Sequence, residues 1–452
     1  MQQQHVPVPG VGPNRERQHR MTAAICSIIL QGLGQLYNRQ WIKGICLLLL
    51  EGAGLAYLLP RLSQAVWGIW TLGENTQRFV KVNGSTVLQR GDHSIFLLLD
   101  GIIVLLVFFV FILIYILNIR DAYVTGVARE EGKQTLGAAA SLRNMMDKNF
   151  PYLFLSIPAL GILFFTVMPI LFTITIAFTN YSAPDHIPPA KLVDWVGFKT
   201  FSDLIQLKSW SQTFYGVLTW TVIWAILATV TTYFGGVLVA LLIEQRGIRF
   251  KKLWRTIFIL PYAIPQIISL LLMRNLFNGQ FGPINTYMRA FGLEGLPWLT
   301  DPFWAKVTVI VVNMWIGIPV SMVLILGVLT AIPRDLYEAA EVDGASAFQK
   351  FRIITMPFIL FATTPVLIMQ FAGNFNNFNV IFLLTNGNPL RGDYQYAGAT
   401  DLLVTWLYKL TLDNNKFNMA SAVGIIIFLI IASFSIWNFR RSKSFKEEDM
   451  IQ

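Results

Sequence analysis

Long apolar runs separated by short polar segments dominate the chain. A helix needs about 20 mostly apolar residues to cross a bilayer. Eight stretches reach that length, near 42–60, 95–119, 152–178, 213–243, 256–277, 303–331, 358–384 and 417–439. An earlier apolar piece, 22–37, carries Gln31, Gln35 and the string GLGQLYN, and reads as a re-entrant or interfacial segment rather than a span. The pattern predicts an all-α polytopic membrane protein in four regions. These are a disordered cytosolic tail (1–20), an N-terminal membrane region with the re-entrant piece, two spans and a cytosolic linker (21–150), a six-span core (151–440), and a C-terminal cytosolic tail (441–452). Residues 61–94 receive no role from the pattern.

Composition agrees with a membrane setting: of 452 residues, 54% are hydrophobic and only 13% charged, with 13 Trp and 34 Phe. Charge then orients the spans. If the polar loop 333–357 faces the cytosol, 22 of the 35 Lys and Arg fall in inside segments and 11 in outside ones, which puts both termini inside. The net charge of +10 is therefore a topology signal, not a nucleic-acid-binding face. The first 20 residues are polar and Pro-rich without a short apolar core and cleavage site, so insertion without cleavage is expected.

Catalytic chemistry finds little support. His5, His19, His93 and His186 have no metal-ligand spacing, and Cys26 and Cys46 sit among apolar neighbours. The stretch 126–133 resembles a phosphate loop only superficially, since five residues separate Gly126 from Gly132 and Gln134 stands where Ser or Thr would hold magnesium. An ion-coupled secondary carrier would need buried ionisable residues; Glu51 and Arg274 are candidates without an obvious partner.

Polar residues at membrane depth carry more information. Gln370, Asn374 and Asn377 recur at spacings of four and three, so the sequence places three amides on one helical face, with Asn376 and Asn379 on another. Interhelical bonding by such groups averages only ~0.6 kcal/mol, whereas an unpaired amide in an apolar medium costs roughly 2–7 kcal/mol. Five amides in ten residues thus favour a hydrated, uncharged cavity over glue alone. Amides donate and accept equally, which suits sugar hydroxyls. Asn313 and Gly317 share a face in the sixth span near Trp315, Ile316 and Pro319. In the fifth, Pro261 and Pro265 bracket Tyr262, with Gln266 just after.

The loop PRDLYEAAEVDGASAFQKFRIITMP (333–357) reads as helix, turn, helix. Pro333 suits a first helical position, Asp335 and Glu338 complement the helix dipole, and Leu336, Ala339, Ala340 and Ala347 form a narrow face of mostly small residues. Gly344 permits the turn.

The order Glu338, Ala339, Ala340, Asp343, Gly344, followed by Ile354–Pro357, resembles the EAA loop of ABC importer permeases, with Met356 in place of the usual Leu. Together with LPYAIPQIIS (260–269), FNGQFGPIN (277–285), VNMWIGIPVSMVL (312–324), FAGNFNNFNVIFLLTNGNP (371–389) and ATDLLVTWLY (399–408), it is similar to the larger, MalF-type permease subunits of maltose and maltodextrin importers, over roughly 150–440. The resemblance implies the MetI-like, type I importer permease fold in a bacterial cell membrane. It also implies coupling to an ATPase through Glu338, Ala339, Ala340, Asp343 and Gly344, and a mid-membrane sugar site at Tyr262, Gln266, Asn313, Ile316, Gly317, Val320, Gln370, Gly373, Asn374 and Asn377. Implied partners are a second related permease, two cytosolic ABC ATPase subunits holding ATP and magnesium, an extracytoplasmic sugar-binding protein and membrane lipid, with no cofactor on this chain. Val320 stands where the family's best-known member has Tyr, and Gln266 and Gln370 where it has Ser, so glucan length or sugar preference is open. The loop 179–212 is short where the enterobacterial form carries a folded periplasmic domain.

Overall fold

A computed structural model describes residues 13–82, 85–89, 91–132, 150–187, 191–245 and 247–441. The start of the N-terminal tail, almost all of the C-terminal one, and 133–149 of the linker lie outside the described residues. The chain divides into two units, Met1–Ile176 with Pro184–Trp195, and Ala177–Ala183 with Val196–Gln452.

In the first unit, α1 (Pro13–Ile29) and α2 (Leu33–Tyr37) precede two long apolar helices, α3 (Trp41–Thr71) and α4 (Ser94–Glu130), and α5 (Phe150–Ala177) follows. Helix α1 runs along α4 from Arg20, whose N–H donates to Glu130, to Ile28, whose carbonyl accepts from the Tyr115 hydroxyl at 2.7 Å. At the turn, the Gln31 N–H donates to Glu51 Oε2 at 2.6 Å and the Gly32 N–H to Asn118 Oδ1. On the way back, Gln35 Nε2 reaches Asp121 and Asn38 Nδ2 the Ala122 carbonyl. The pair thus enters and leaves at the same end of α4. The turn sits beside Glu51 and Asn118, so the segment folds back on itself as a hairpin along the end of α4. The sequence left Glu51 without a partner; the folded-back turn supplies one, a backbone donor that composition does not reveal.

Two boundaries differ from the sequence expectation. Helix α3 continues past 60 to Thr71 with Pro60 inside it, as membrane helices tolerate where neighbours re-satisfy the freed carbonyl. Within the unassigned 61–94, β1 (Arg78–Val82) pairs antiparallel with β2 (Ser85–Gln89), a small exception to an otherwise helical chain. Residues 184–195 return to this unit, with the Val193 N–H on Ser94 Oγ at 3.0 Å and Trp195 Nε1 on the Ile69 carbonyl at 2.9 Å.

The second unit contains α6 (Lys199–Gln206), α7 (Lys208–Glu244), α8 (Lys251–Ala263), α9 (Gln266–Leu276), α10 (Pro283–Ala290) and α11 (Pro302–Ala331). There follow α12 (Arg334–Val342), α13 (Ala347–Lys350), a π turn at Phe351–Thr355, α14 (Met356–Phe375), α15 (Phe378–Leu384), α16 (Leu403–Tyr408) and α17 (Phe417–Arg441). Helix α7 is the organiser. Trp220, Trp224, Ala228, Thr232 and Gly236 are buried at helical spacing, while Ile223, Ile226, Val230 and Phe234 on the opposite side are exposed as lipid-facing residues are. Small residues allow close approach: a Cβ on Gly236 would overlap Ser321 of α11.

Among the described residues, seven helices are long and apolar enough to cross a membrane, and the bent pair α8/α9 supplies an eighth. That pair turns by 91°. The break falls at Ile264–Pro265, where proline has no N–H to continue the helix.

Candidate functional site

The proline break sets Tyr262 at the end of α8 and Gln266 at the start of α9. Tyr262 is two-thirds exposed. With Ile259 and, from α11, Pro319, Val320 and Val323, it lines a recess of about 140 Å³. Every other side chain lining it is apolar, so the recess offers a hydrophobic wall with one phenol.

The candidate amides of the second unit are partnered by side chains. Asn377 Nδ2 lies 3.5 Å from Asn313 Oδ1, and Asn379 Nδ2 3.4 Å from Gln266 Oε1. Gln370 Nε2 donates to Thr232 Oγ1 at 2.8 Å, and Asn374 Nδ2 to Thr229 Oγ1 at 3.0 Å. Trp224 Nε1 adds a bond to the Asn374 carbonyl at 3.0 Å. No described residue donates to the side-chain oxygens of Gln370 and Asn374.

The expectation of three amides on one helical face requires correction. Helix α14 stops at Phe375, and Asn377 caps α15, its Oδ1 accepting the Val380 N–H at 3.3 Å. Local capping outcompetes helix continuation here, as Asn side chains favour. The span read at 358–384 is accordingly broken near Asn376, and its helical run begins at Ala347. Of the other sequence candidates, Gly373 has open space where a side chain would be, Ile316 packs into the apolar cluster around Trp220 and Trp224, and Gly317 is pressed against Thr232. Sequence reasoning missed Trp224, Thr229 and Thr232. The signal was available: the three-residue step from Thr229 to Thr232 lies opposite the four-residue step from Gln370 to Asn374 on a facing helix.

The segment between α15 and α17 is tied by a buried ion pair, Lys409 Nζ to Asp401 Oδ2 at 2.7 Å, with the Gly398 N–H and the Thr405 hydroxyl also on Asp401.

The loop after α11 matches its predicted form closely. Pro333 is the N-cap rather than the first helical residue, and α12 ends at Val342 with Asp343 as C-cap, followed by Gly344, whose φ of +74° only glycine adopts without strain. The Ala345 N–H bonds the Ala340 carbonyl and the Gly344 N–H the Glu341 carbonyl, a Schellman closure. Ser346 and Gln349 then form a capping box that starts α13. Lys350 pairs with Glu341 at 2.8 Å, and Tyr337 meets Thr355 across the turn. Glu338, Ala339, Asp343 and Gly344 are exposed and Ala340 half-buried, alongside exposed Val342 and Phe348. A rigid, amphipathic two-helix element thus projects from the bundle.

Among the described residues, no group of three or more His, Cys, Asp or Glu is placed to hold a metal.

Seven or eight candidate spans and, in the second unit, a broken helix, a neutral amide cluster and a helix–turn–helix are features of a membrane permease. The family described as binding-protein-dependent transport system inner membrane component matches residues 232–441. The galactooligosaccharides transport system permease protein GanP of Bacillus subtilis (strain 168) is 42% identical over 434 residues, 95% of this chain and 100% of that protein. The maltodextrin transport system permease protein MdxF of the same organism is 39% identical over 94% of this chain and 96% of its own. The maltose/maltodextrin transport system permease protein MalF of Salmonella typhimurium is 40% identical over 253 residues, 55% of this chain and 49% of that protein. The crystal structure of a bacterial ABC transporter involved in the import of the acidic polysaccharide alginate shares the fold, with a TM-score of 0.56 and 24% identity over 67% of this chain and 98% of that one. The chain belongs to the family of binding-protein-dependent ABC transport permeases. It is a multi-pass membrane transport subunit, not an enzyme.

Proposed function

We propose that this permease carries neutral oligosaccharides of the maltose/maltodextrin type into the cell by alternating access. The observations that support it are the uncharged polar set Asn313, Gln370, Asn374 and Asn377 and, in the same unit, the apolar recess with the Tyr262 phenol. Amides match sugar hydroxyls, and the phenol ring suits the apolar face of a pyranose. The coupling element α12–α13 faces the cytosol, with both termini inside, and docks on a separate ABC ATPase. ATP closure moves it as a rigid body and rocks this chain against a second, related permease. One chain presents one such element, so two ATPase subunits and a second permease complete the assembly, and an extracytoplasmic binding protein delivers the sugar.

A second reading, galacto-oligosaccharides, is favoured by the higher identity to GanP, 42% against 39% for MdxF. Uptake of labelled maltodextrins and galacto-oligosaccharides of graded length, in cells expressing the whole complex, separates the two. ATP-dependent accumulation of maltodextrins supports the first reading, and accumulation of the galactosides alone replaces it. Labelling of a cysteine at Glu338 from outside intact cells would remove the ATPase docking role. Replacing Gly344 by Val forces a branched residue into a left-handed backbone at a cost of about 1–2 kcal/mol. Uptake and sugar-stimulated ATP hydrolysis should both collapse while membrane insertion persists.

A further inference from the structure

We infer that Thr232 sets the polarity of the sugar site, and that it is a positioning residue which makes Gln370 an acceptor of sugar hydroxyls. The inference deepens the proposed reading and rests on it. Thr232 is buried, and its hydroxyl lies 2.6 Å from the Ala228 carbonyl and 3.2 Å from that of Thr229, both fixed by the helix. A hydroxyl has one hydrogen and two lone pairs. With its hydrogen on a backbone carbonyl, Thr232 Oγ1 can only accept from a third group, and Gln370 Nε2 lies 2.8 Å from it. The opposite orientation of the amide would set two acceptors against each other.

Thr232 cannot easily turn to relieve that constraint. Its methyl group packs where a side chain on Gly317 would be, so α11 holds it from the other side, and a β-branched residue in a helix has few rotamers. The Gln370 oxygen therefore points away from α7, with no described donor. One helical turn on, Asn374 Nδ2 donates to Thr229 Oγ1 at 3.0 Å. Both amides commit their nitrogens to α7 and leave their carbonyl oxygens for a ligand. A site of this polarity recognises hydroxyl groups as donors, and it discriminates against analogues in which fluorine, an acceptor only, replaces a hydroxyl.

The test uses the whole complex in proteoliposomes, with maltotriose or the galactoside that proves to be transported. Three variants are compared: Thr232→Val, which keeps shape but removes the acceptor, Thr232→Ser, which restores it, and Gln370→Ala. Thr232→Val should raise KM about five- to tenfold, the size of one neutral hydrogen bond, with kcat and the yield of assembled complex little changed. Thr232→Ser should return KM to within about twofold of the native value. Competition by a set of singly fluorinated sugars supplies the readout that a packing role would not move. The native site should reject at least one analogue strongly, and Thr232→Val should reject it less. Gln370→Ala with native KM overturns the inference together with the placement of the sugar site. Raised KM in Gln370→Ala but not in Thr232→Val overturns the inference alone. Equal loss of assembly in the Val and Ser variants also overturns it, by making Thr232 a structural residue.

Discussion

Two polar clusters among the described residues use their hydrogen-bonding groups in opposite ways. Around the folded-back turn of the first unit, Gln35 gives its nitrogen to the Asn118 carbonyl and Asp121 and accepts from Ser27, Asn38 bonds His19 and Ala122, and Asp121 also holds Lys43 at 2.6 Å. Apart from the Gln31 side chain, the donors, acceptors and charge here are consumed internally. In the core, Gln370 and Asn374 commit only their donors, and no charged residue takes part. A cluster that closes on itself holds helices together, while one that leaves oxygens unclaimed is prepared for a ligand. Amide content alone does not separate these cases; the direction of each hydrogen bond does.

The largest expected effect is on the closed cluster. Gln35→Leu strands the Asn118 carbonyl, Ser27 and one bond to Asp121 in a buried setting, at a loss of about 1–3 kcal/mol. Thermal unfolding in detergent should show a clearly lowered midpoint, and an unchanged one would mean that the turn is not a stabilising element.

In the open cluster the balance shifts from stability to transport. Asn374→Leu removes one interhelical bond, worth ~0.6 kcal/mol on average, so complex yield should hardly change while sugar uptake falls at least tenfold, the order of one lost recognition contact. Parallel loss of assembly and uptake would return Asn374 to the role of glue.

Gln31 sharpens the comparison from within the closed cluster. It is fully buried, and neither side-chain amide atom has a partner among the described residues. Only its backbone N–H works, on Glu51. Gln31→Leu keeps that bond and removes the stranded amide, and such replacements are near neutral or stabilising. The melting midpoint should stay level or rise, in contrast to Gln35→Leu four residues away.

Much of this was legible beforehand, for identifiable reasons. Apolar runs of span length made seven candidate spans and the bent pair α8/α9 visible, and proline at 265 located the break beside Tyr262. The coupling loop was readable because its signals are local: Gly344, Ser346 and Gln349 each act within a few residues. The folded-back turn was half legible from Gln31 and Gln35, but its contacts with Glu51 and Asn118, distant in sequence, were not. The end of α14 was not legible, since Asn377 can continue a helix or cap the next and tertiary packing decides. Thr229 and Thr232 were hidden because threonine in an apolar helix ordinarily bonds its own preceding turn, as Thr232 does; only the facing amides give the second bond meaning.

The smallest effect belongs to neither cluster and marks where polar closure stops mattering for the membrane domain. Asp92, just before α4, accepts the N–H groups of Glu74 and Asn75 at 2.9 Å each, which closes the connection that carries β1 and β2. The Asn75 bond foremost, then that of Glu74, holds the Asp92 carboxyl below its usual value, against a small opposing push from burial. A carboxyl lowered in the folded state stabilises above its unfolded pKa, near 3.9, and that contribution is lost as pH falls through the lowered folded value. Because the group is exposed, solvent screens most of it. Asp92→Ala should leave the global melting midpoint unchanged and speed hydrogen exchange at the Glu74 and Asn75 amides alone, with the native protein approaching the same rates, relative to neighbouring amides, only at strongly acid pH. Faster exchange spreading into α3 or α4 would mean that this outer connection supports the first unit as a whole.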